Sequence, residues 1–470
     1  MAEISMLDWP IWPLLHGALA LVSGMHILLC KSDSRAALAW LAFVFLFPLG
    51  GPILYWLFGV NRVRRKAQGA RLFRWDDRGF LPSPRDDAAA PADPLEMVGW
   101  RVTAVHPQPD NRVDVLAGGE AAYPAMLEAI ENARHEILLS TFIFAPDGIG
   151  KQFVAALAAA RERGVDVRLL VDDVGRRYQL PTIARALRRA GVPVAWFMPL
   201  RLLPPSLSLN LRNHRKLLIV DGQRAFAGGM NISDSHVAAG LARVSDVHFE
   251  FAGPIVDPLR QLFARDWQRT TGAGLAGLVV EPAPAQEAGA ACRLVFDGPD
   301  EKLDHLALLI EGAISAARRR VVIVTPYFLP ERRLVGVLQA AALRGVKVSV
   351  VLPGENNWPV VNWALKHHLW SLVRLDVDVY FRPPPFAHEK FLLIDEAYAL
   401  VGSTNLDPRS LRLNFELGIE VFDAAVTARL AAHADEAIAT AARFGRQEVN
   451  GRRLPERIRD ALAALIAPYL

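Results

Sequence analysis

A chain of 470 residues, 52% of them apolar, with a mean hydropathy of +0.19, is long enough for about three domains and too apolar to be wholly soluble. Two cysteines, Cys30 and Cys292, exclude a disulfide framework and a cysteine-based metal site. A formal net charge of +4 suits an anionic partner, and lipid and nucleic acid satisfy it equally.

Residues 11–30 and 36–60 are two apolar runs separated only by Lys31-Ser32-Asp33-Ser34-Arg35, each of roughly membrane-spanning length. A transmembrane helical hairpin over residues 1–66 is predicted. No Lys or Arg precedes Trp9 and no small-residue cleavage site follows, which argues against a cleaved signal peptide. Pro48, Gly50, Gly51 and Pro52 kink the second run and leave room for a re-entrant path. His16 and His26 are costly in lipid and are expected to be neutral and paired within the hairpin. Arg62, Arg64, Arg65, Lys66, Arg71 and Arg74 follow it, so the positive-inside rule puts the rest of the chain and Met1 on the cytoplasmic side of the membrane.

Residues 67–110, with Pro82-Ser83-Pro84-Arg85-Asp86-Asp87, read as a linker. Two similar halves follow, 111–280 and 281–470. The first carries an amphipathic stretch (121–134), an apolar strand (137–144) and a second strand opened by Arg163-Gly164-Val165. The second repeats the series at 303–318, 321–328 and Arg344-Gly345-Val346, an internal duplication. Helices alternating with short apolar strands give an α/β fold, a sandwich in each half. The run Glu281-Pro282-Ala283-Pro284-Ala285 marks the seam, and helices at 426–444 and 455–466 close the second half.

Each half contains His-x-Lys-x-x-x-x-Asp, as His214, Lys216, Asp221 and as His388, Lys390, Asp395. The four residues after each Lys are apolar and read as a buried strand, with His and Lys on one face and Asp on the other. Seven residues past each Asp comes a small pair, Gly228-Gly229 or Gly402-Ser403, and ten past it Asn231 or Asn405. An acid follows, Asp246 or Glu416. One such motif is weak evidence, whereas two with matching followers are strong.

These residues resemble the phospholipase D superfamily, whose two His-Lys motifs meet across a pseudo-twofold axis in one active site. The segments 210–216 (Asn-Leu-Arg-Asn-His-Arg-Lys), 228–232, 325–330, 402–410 and 414–416, with Phe47-Pro48-Leu49-Gly50-Gly51 in the hairpin, are similar to the bacterial cardiolipin synthase branch. The resemblance implies two α/β sandwich halves sharing one site. One imidazole, by family habit His214, attacks phosphorus to form a phosphohistidine, and the other, His388, serves as acid and then base. Lys216, Lys390, Asn231, Asn405 and Ser403 are implied to hold the non-bridging oxygens, and Asp246 and Glu416 to orient the imidazoles. Asp221 and Asp395 belong to the catalytic motifs but read as structural partners of the following turn. No metal or other cofactor is expected.

Three departures from the branch bear on the lipid taken. They are Glu389 between His388 and Lys390, Ser245 before Asp246, and Ser235-His236 in place of an acidic-aromatic pair. The Leu-rich loop 202–209 and the stretch Trp358 to Trp370 suit either an interface-dipping entry or plain core packing. A phosphatidyltransferase joining two phosphatidylglycerol molecules with release of glycerol is the leading expectation, ahead of a hydrolytic phospholipase D. A nuclease is disfavoured, because no basic groove with aromatic stacking is evident. A non-catalytic scaffold does not need the doubled motif.

Overall fold

The structure, a computed structural model, describes residues 11–31, 34–59, 90–199, 211–275, 289–298, 304–356 and 358–465. The chain divides into two compact units, Met1–Arg74 and Trp75–Leu470.

In the first unit Ile11–Cys30 is a helix, and among the described residues its stretch Trp12–Cys30 alone is long and apolar enough to cross a membrane. The predicted second span breaks into pieces: a helix at Ser34–Leu46, a short one at Gly50–Leu54 and a π turn at Tyr55–Gly59. Thirteen residues reach about 20 Å, short of the ~30 Å hydrocarbon core. Pro48 ends the helix, and Leu49 takes a positive φ of 59°. Gly51 then packs so tightly that a Cβ there would lie 2.4 Å from the Phe43 carbonyl oxygen. Both histidines are paired: His26 Nδ1 lies 2.5 Å from the Tyr55 hydroxyl, and His16 Nδ1 accepts from the Leu49 amide at 3.2 Å.

The second unit is built on one sheet. Its first-half strands are β1 (Gln108–Ala117), β2 (Glu136–Thr141), β3 (Asp166–Asp172), β4 (Val194–Phe197), β5 (Leu217–Val220), β6 (Arg224–Gly228), β7 (Val244–Ser245) and β8 (Val247–Ala252). The second half contributes β9 (Ala290–Asp297), β10 (Arg320–Val324), β11 (Lys347–Pro353), β12 (Asp378–Arg382), β13 (Phe386–Ala387), β14 (Phe391–Ile394), β15 (Tyr398–Gly402), β16 (Glu416–Phe422) and β17 (Ala442–Phe444). Fifteen of them pair in the order β17-β12-β11-β10-β14-β15-β16-β9-β1-β8-β6-β5-β2-β3-β4. Leaving out the edge strand β17, the order reads alike from both ends. The halves join where β1 and β9 pair antiparallel, at the centre of the pseudo-twofold relation.

Helices cover both faces, as buried apolar strands require. Gly119–Asn132 buries Ala122, Tyr123, Met126, Ala129 and Ile130, and His305–Ala316 buries Leu306, Leu309, Ile310, Ala313 and Ile314, each set at helical spacing. On the other face Val256–Thr271 and Ala424–Thr440 close a core with residues from both halves, among them Phe249, Leu217, Phe391 and Leu417.

Two expectations change. The stretch read as linker holds a helix, Pro94–Thr103, which Asp93 caps by accepting from the Leu95 and Glu96 amides and which places Leu95 and Val98 against the second-half core. Residues 442–444, expected to be helical, form the edge strand β17, paired with β12. The seam at 281–285, the loop 202–209 and the basic cluster 62–74 lie outside the described residues.

Candidate active site

The segment that carries each histidine pairs with a residue of the opposite half. Asn213 bridges Phe415 in parallel, and the His214 amide donates to the Phe415 carbonyl at 3.0 Å. In the mirrored arrangement β13 pairs in parallel with β7, and the His388 amide donates to the Ser245 carbonyl at 2.7 Å. Phe415 directly precedes Glu416 and Ser245 directly precedes Asp246. Backbone pairing therefore sets each histidine beside the acid of the other half.

The side chains complete the crossing. His214 Nδ1 lies 3.0 Å and 3.1 Å from the two oxygens of Glu416 and 3.1 Å from the Ser403 carbonyl. His388 Nδ1 lies 2.7 Å from Asp246. With only oxygen acceptors before it, Nδ1 of His214 carries the proton, which leaves Nε2 free with a lone pair. Both acids are fully buried as side chains, and both histidines line a cleft of about 750 Å³.

The lysines sit behind the imidazoles. Lys216 and Lys390 each donate to the carbonyl of the histidine two residues earlier, at 2.7 Å, and Lys390 Nζ also lies 3.0 and 3.1 Å from the two ring nitrogens of His388. Burial pulls Lys216 down to about 7 and Lys390 to about 8, although Glu416 and Asp246 oppose the fall. Burial also lowers His214. It lowers His388 further, helped by Lys390, Lys216 and His214. The acids part company. Burial pushes Asp246 up to about 6. Burial also acts to raise Glu416, but His214, Lys216 and Ser403 outweigh it, and its carboxyl stays below the ordinary value.

The small pair after each motif has two separate reasons. Gly228 and Gly402 adopt φ of 155° and 154°, and a Cβ on Gly402 would sit 2.2 Å from the Leu417 carbonyl oxygen. The second member faces the acid. Gly229 leaves room for Asp246, whose oxygen is 2.7 Å from where a Cβ would stand, while Ser403 Oγ donates to Glu416 at 2.5 Å and accepts from the Leu417 amide. Ser403 thus braces the carboxylate and is spent there, not on a phosphate oxygen.

The asparagines also differ. Asn231 accepts from the Ile143 amide at 3.1 Å and lines the cleft. Asn405 lies 3.2 Å from Ser410 Oγ through its amide nitrogen, and its Oδ1 is buried with no partner among the described residues. Asp221 and Asp395 stand at the far ends of β5 and β14, with φ of 51° and 52°. Asp221 accepts from the amides of Arg134, His135 and Glu136, and Asp395 from those of Arg318, Arg319 and Arg320. They tie the strand end to the preceding loop and face no cleft, so the motif's catalytic label does not extend to them.

The three departures have definite places. Glu389 is buried and receives Arg382 at 2.8 Å on both oxygens and His433 at 3.3 Å. Ser245 supplies the carbonyl for His388. Ser235 and His236 line the cleft, where burial holds His236 down to about 4. Of the tryptophan stretch, Trp358 is 54% exposed and lines the cleft, Trp370 is exposed, and Trp363 packs on the core with Arg459 over its ring.

Sequence reasoning missed Asn414, which donates to Glu416 Oε1 at 3.2 Å, and the Arg215 to Asp266 pair at 2.5 and 2.6 Å. The Asn-Phe-Glu run was the available signal for the first. Among the described residues no three His, Cys, Asp or Glu side chains gather as a metal site.

Comparison with known proteins agrees with this geometry. The family model described as "Cardiolipin synthase, PLD-like domain" matches residues 126–267 and 310–438, and "Phospholipase_D-nuclease N-terminal" matches 18–59. The major cardiolipin synthase of Bacillus subtilis is 31% identical over 461 residues, 94% of this chain and 95% of its own. Cardiolipin synthase A of Pseudomonas aeruginosa is 30% identical over 467 residues, 96% of this chain and 94% of its own. A crystal structure of phosphatidylserine synthase from Haemophilus influenzae shares the fold with a TM-score of 0.59 at 15% identity, over 76% of this chain and 95% of that one. By a family model that covers both halves, and by relatives matched nearly end to end, this chain belongs to the phospholipase D-like cardiolipin synthase family.

Proposed function

We propose that the protein is a membrane-bound phosphatidyltransferase that makes cardiolipin from two phosphatidylglycerol molecules and releases glycerol. The observation that carries this reading is the crossed pair of imidazole-carboxylate couples, His214 with Glu416 and His388 with Asp246, in one cleft. A phosphodiester repels nucleophiles, so the site must neutralise its charge and supply both a nucleophile and a proton. Nε2 of His214 attacks phosphorus as the bond to the glycerol oxygen breaks, and His388 protonates that oxygen. The entering hydroxyl then gives its proton back to His388 as its oxygen displaces His214.

Lys216 and Lys390 neutralise the non-bridging oxygens, and the free amide end of Asn231 adds a donor. Lys390, whose Nζ lies 3.0 and 3.1 Å from the two His388 ring nitrogens, opposes protonation there. An arriving phosphate gives Lys390 a better partner and lets His388 take up the proton it must donate. Glu416, ionised and braced by Ser403 and Asn414, keeps His214 in the attacking tautomer.

The helix Ile11–Cys30 anchors the protein in the bilayer that holds both substrates. The basic residues from Arg62 to Arg74 put the catalytic unit on the cytoplasmic, anionic face, where each gains roughly 1 kcal/mol. The partners are phospholipids and not nucleic acid. The test is to give detergent-purified protein phosphatidylglycerol alone, then with phosphatidylethanolamine added, and to identify lipids and free glycerol by mass spectrometry. Cardiolipin with equimolar glycerol is expected. Phosphatidic acid as the main product identifies the hydrolytic phospholipase D instead.

A further inference from the structure

The helix Leu454–Leu465 turns its apolar face outward. Leu454, Ile458, Leu462 and Leu465 recur at helical spacing on one side, and they are 52 to 74% exposed. The inward side is polar. Asp460 is fully buried and closed by Arg452 at 2.9 Å and Arg459 at 2.8 Å. Ion pairs therefore fix this helix to the fold while its apolar stripe faces out, and a stripe of that kind marks a contact with something else.

The direction of the helix links the stripe to the cleft. It packs along the helix Pro359–Val373, where Arg452 donates to the Lys366 carbonyl at 3.0 Å and Arg459 lies over the Trp363 ring. Going forward along one helix goes back along the other, so the two run antiparallel. Leu462 and Leu465 thus lie toward the end where Trp358 caps the partner helix and lines the cleft. The cleft is edged with apolar groups as well, because Tyr178 and Leu241 line it and are exposed.

Charge says what the stripe meets. Arg453 and Arg457, at the start of the helix, are exposed and enter no ion pair among the described residues. Leucines beside free arginines suit the boundary between acyl chains and anionic headgroups. A second copy of this helix would cover the stripe but offers the arginines no acid except Glu456, which already caps the Arg453 amide.

We propose that the helix Leu454–Leu465 lies in the surface of an anionic bilayer and, with Trp358, Tyr178 and Leu241, seats the mouth of the cleft on the membrane. The inference rests on the reading of the substrates as membrane lipids and goes beyond it. A spanning helix alone holds the chain at the bilayer without turning the cleft toward it. A docked helix that leads to the cleft supplies that orientation, and a lipid then reaches His214 without leaving the interface.

The test uses the full-length protein in phosphatidylglycerol vesicles, with a nitroxide spin label at Ile458→Cys or Leu462→Cys. Each is made in a Cys30→Ser background, because Cys30 is exposed and Cys292 is buried. Docking predicts frequent collision with oxygen, which dissolves among acyl chains, and little with a water-soluble nickel chelate. Frequent nickel collision shows the stripe in water, and little collision with either reagent shows it under protein, whether the residues after Leu465 or a second copy. Either result overturns the proposal. Ile458→Glu with Leu462→Glu should lower cardiolipin synthesis from vesicles about tenfold or more, and leave conversion of short-chain micellar phosphatidylglycerol within about twofold. Unchanged synthesis from vesicles, or an equal loss on both substrates, overturns the seating of the cleft. The collision readout needs no turnover, so failure of the unsubstituted protein to make cardiolipin overturns the transferase reading and leaves the labels to decide the docking.

Discussion

The two halves share a chain path and a reaction but invert the charge of the residue between His and Lys. In the first half it is Arg215, buried against Asp266 of the helix Val256–Thr271. In the second it is Glu389, buried against Arg382 of β12 and against His433 of the equivalent helix Ala424–Thr440. The duplicated frame tolerates either sign provided the buried charge is closed. The site-facing residues show no such freedom, because both halves must present an imidazole and an ammonium to one phosphate. Divergence reappears behind them, where the side chains of Ser403 and Asn414 brace Glu416, whereas Gly229, without a side chain, stands against Asp246, which accepts from the Val247 amide.

The sharpest break of the symmetry is at the histidines, which stand in matching backbone frames but have separate duties. His214→Ala and His388→Ala should each lower turnover by at least about 10³-fold, but only His388→Ala should still trap a phosphohistidine, seen as acid-labile label from radioactive phosphatidylglycerol. Label in the His214→Ala protein alone would reverse the two roles. Next come the acids: Glu416→Gln and Asp246→Asn should each cost about 10²–10⁴-fold in kcat, since the amide selects the wrong tautomer. Activity within tenfold of the parent in either would show that the acids merely pack.

The inverted pairs make a stability contrast. Asp266→Ala leaves Arg215 buried with no carboxylate and should cost about 3–5 kcal/mol in denaturant unfolding. His433→Ala leaves Glu389 held by Arg382 at both oxygens and should cost about 1 kcal/mol. Equal losses would mean that the frame does not depend on closing these charges.

The lysines set a pH limit. Lys216 and Lys390, drawn down to about 7 and about 8, lose their charge as pH rises through those values. The alkaline limb of kcat/KM should begin near pH 7 to 8 and not near the ordinary lysine value of about 10.4. The acid limb, set by His214, should lie below the ordinary imidazole value, because burial holds its free base form. An activity that keeps rising to pH 10 excludes charged lysines as the phosphate clamp. The smallest effect is at the brace: Ser403→Gly copies the first half into the second and should lower kcat about tenfold or less, the loss of one hydrogen bond to a charged group. A loss as large as that of Glu416→Gln would make the hydroxyl a direct participant.

Much of the site was readable because its signals are local. His214, Lys216, His388 and Lys390 precede apolar runs that became β5 and β14 with the same bounds, and the helix stripes follow from 3.6-residue spacing. The second apolar run breaks where Pro48 and the close approach at Gly51 fall, the kink that its prolines and glycines predict, while the 13-residue length of the helix before it was not legible from composition. The helix Pro94–Thr103 was hidden by its Pro-rich flank, since a proline at the first turn starts a helix as readily as it marks a loop.

The sequence by itself determined the duplication, the reacting side chains and the apolar anchor, because each depends on residue type and spacing within a few positions. Only the tertiary structure decided which acid serves which histidine. The crossing of β13 over β7, and of Asn213 over Phe415, joins residues 142 and 202 positions apart, and no local pattern encodes a partner at that range. It also decided that Ser403 is spent on Glu416, because a side chain's free atoms are those left over once packing has claimed the rest.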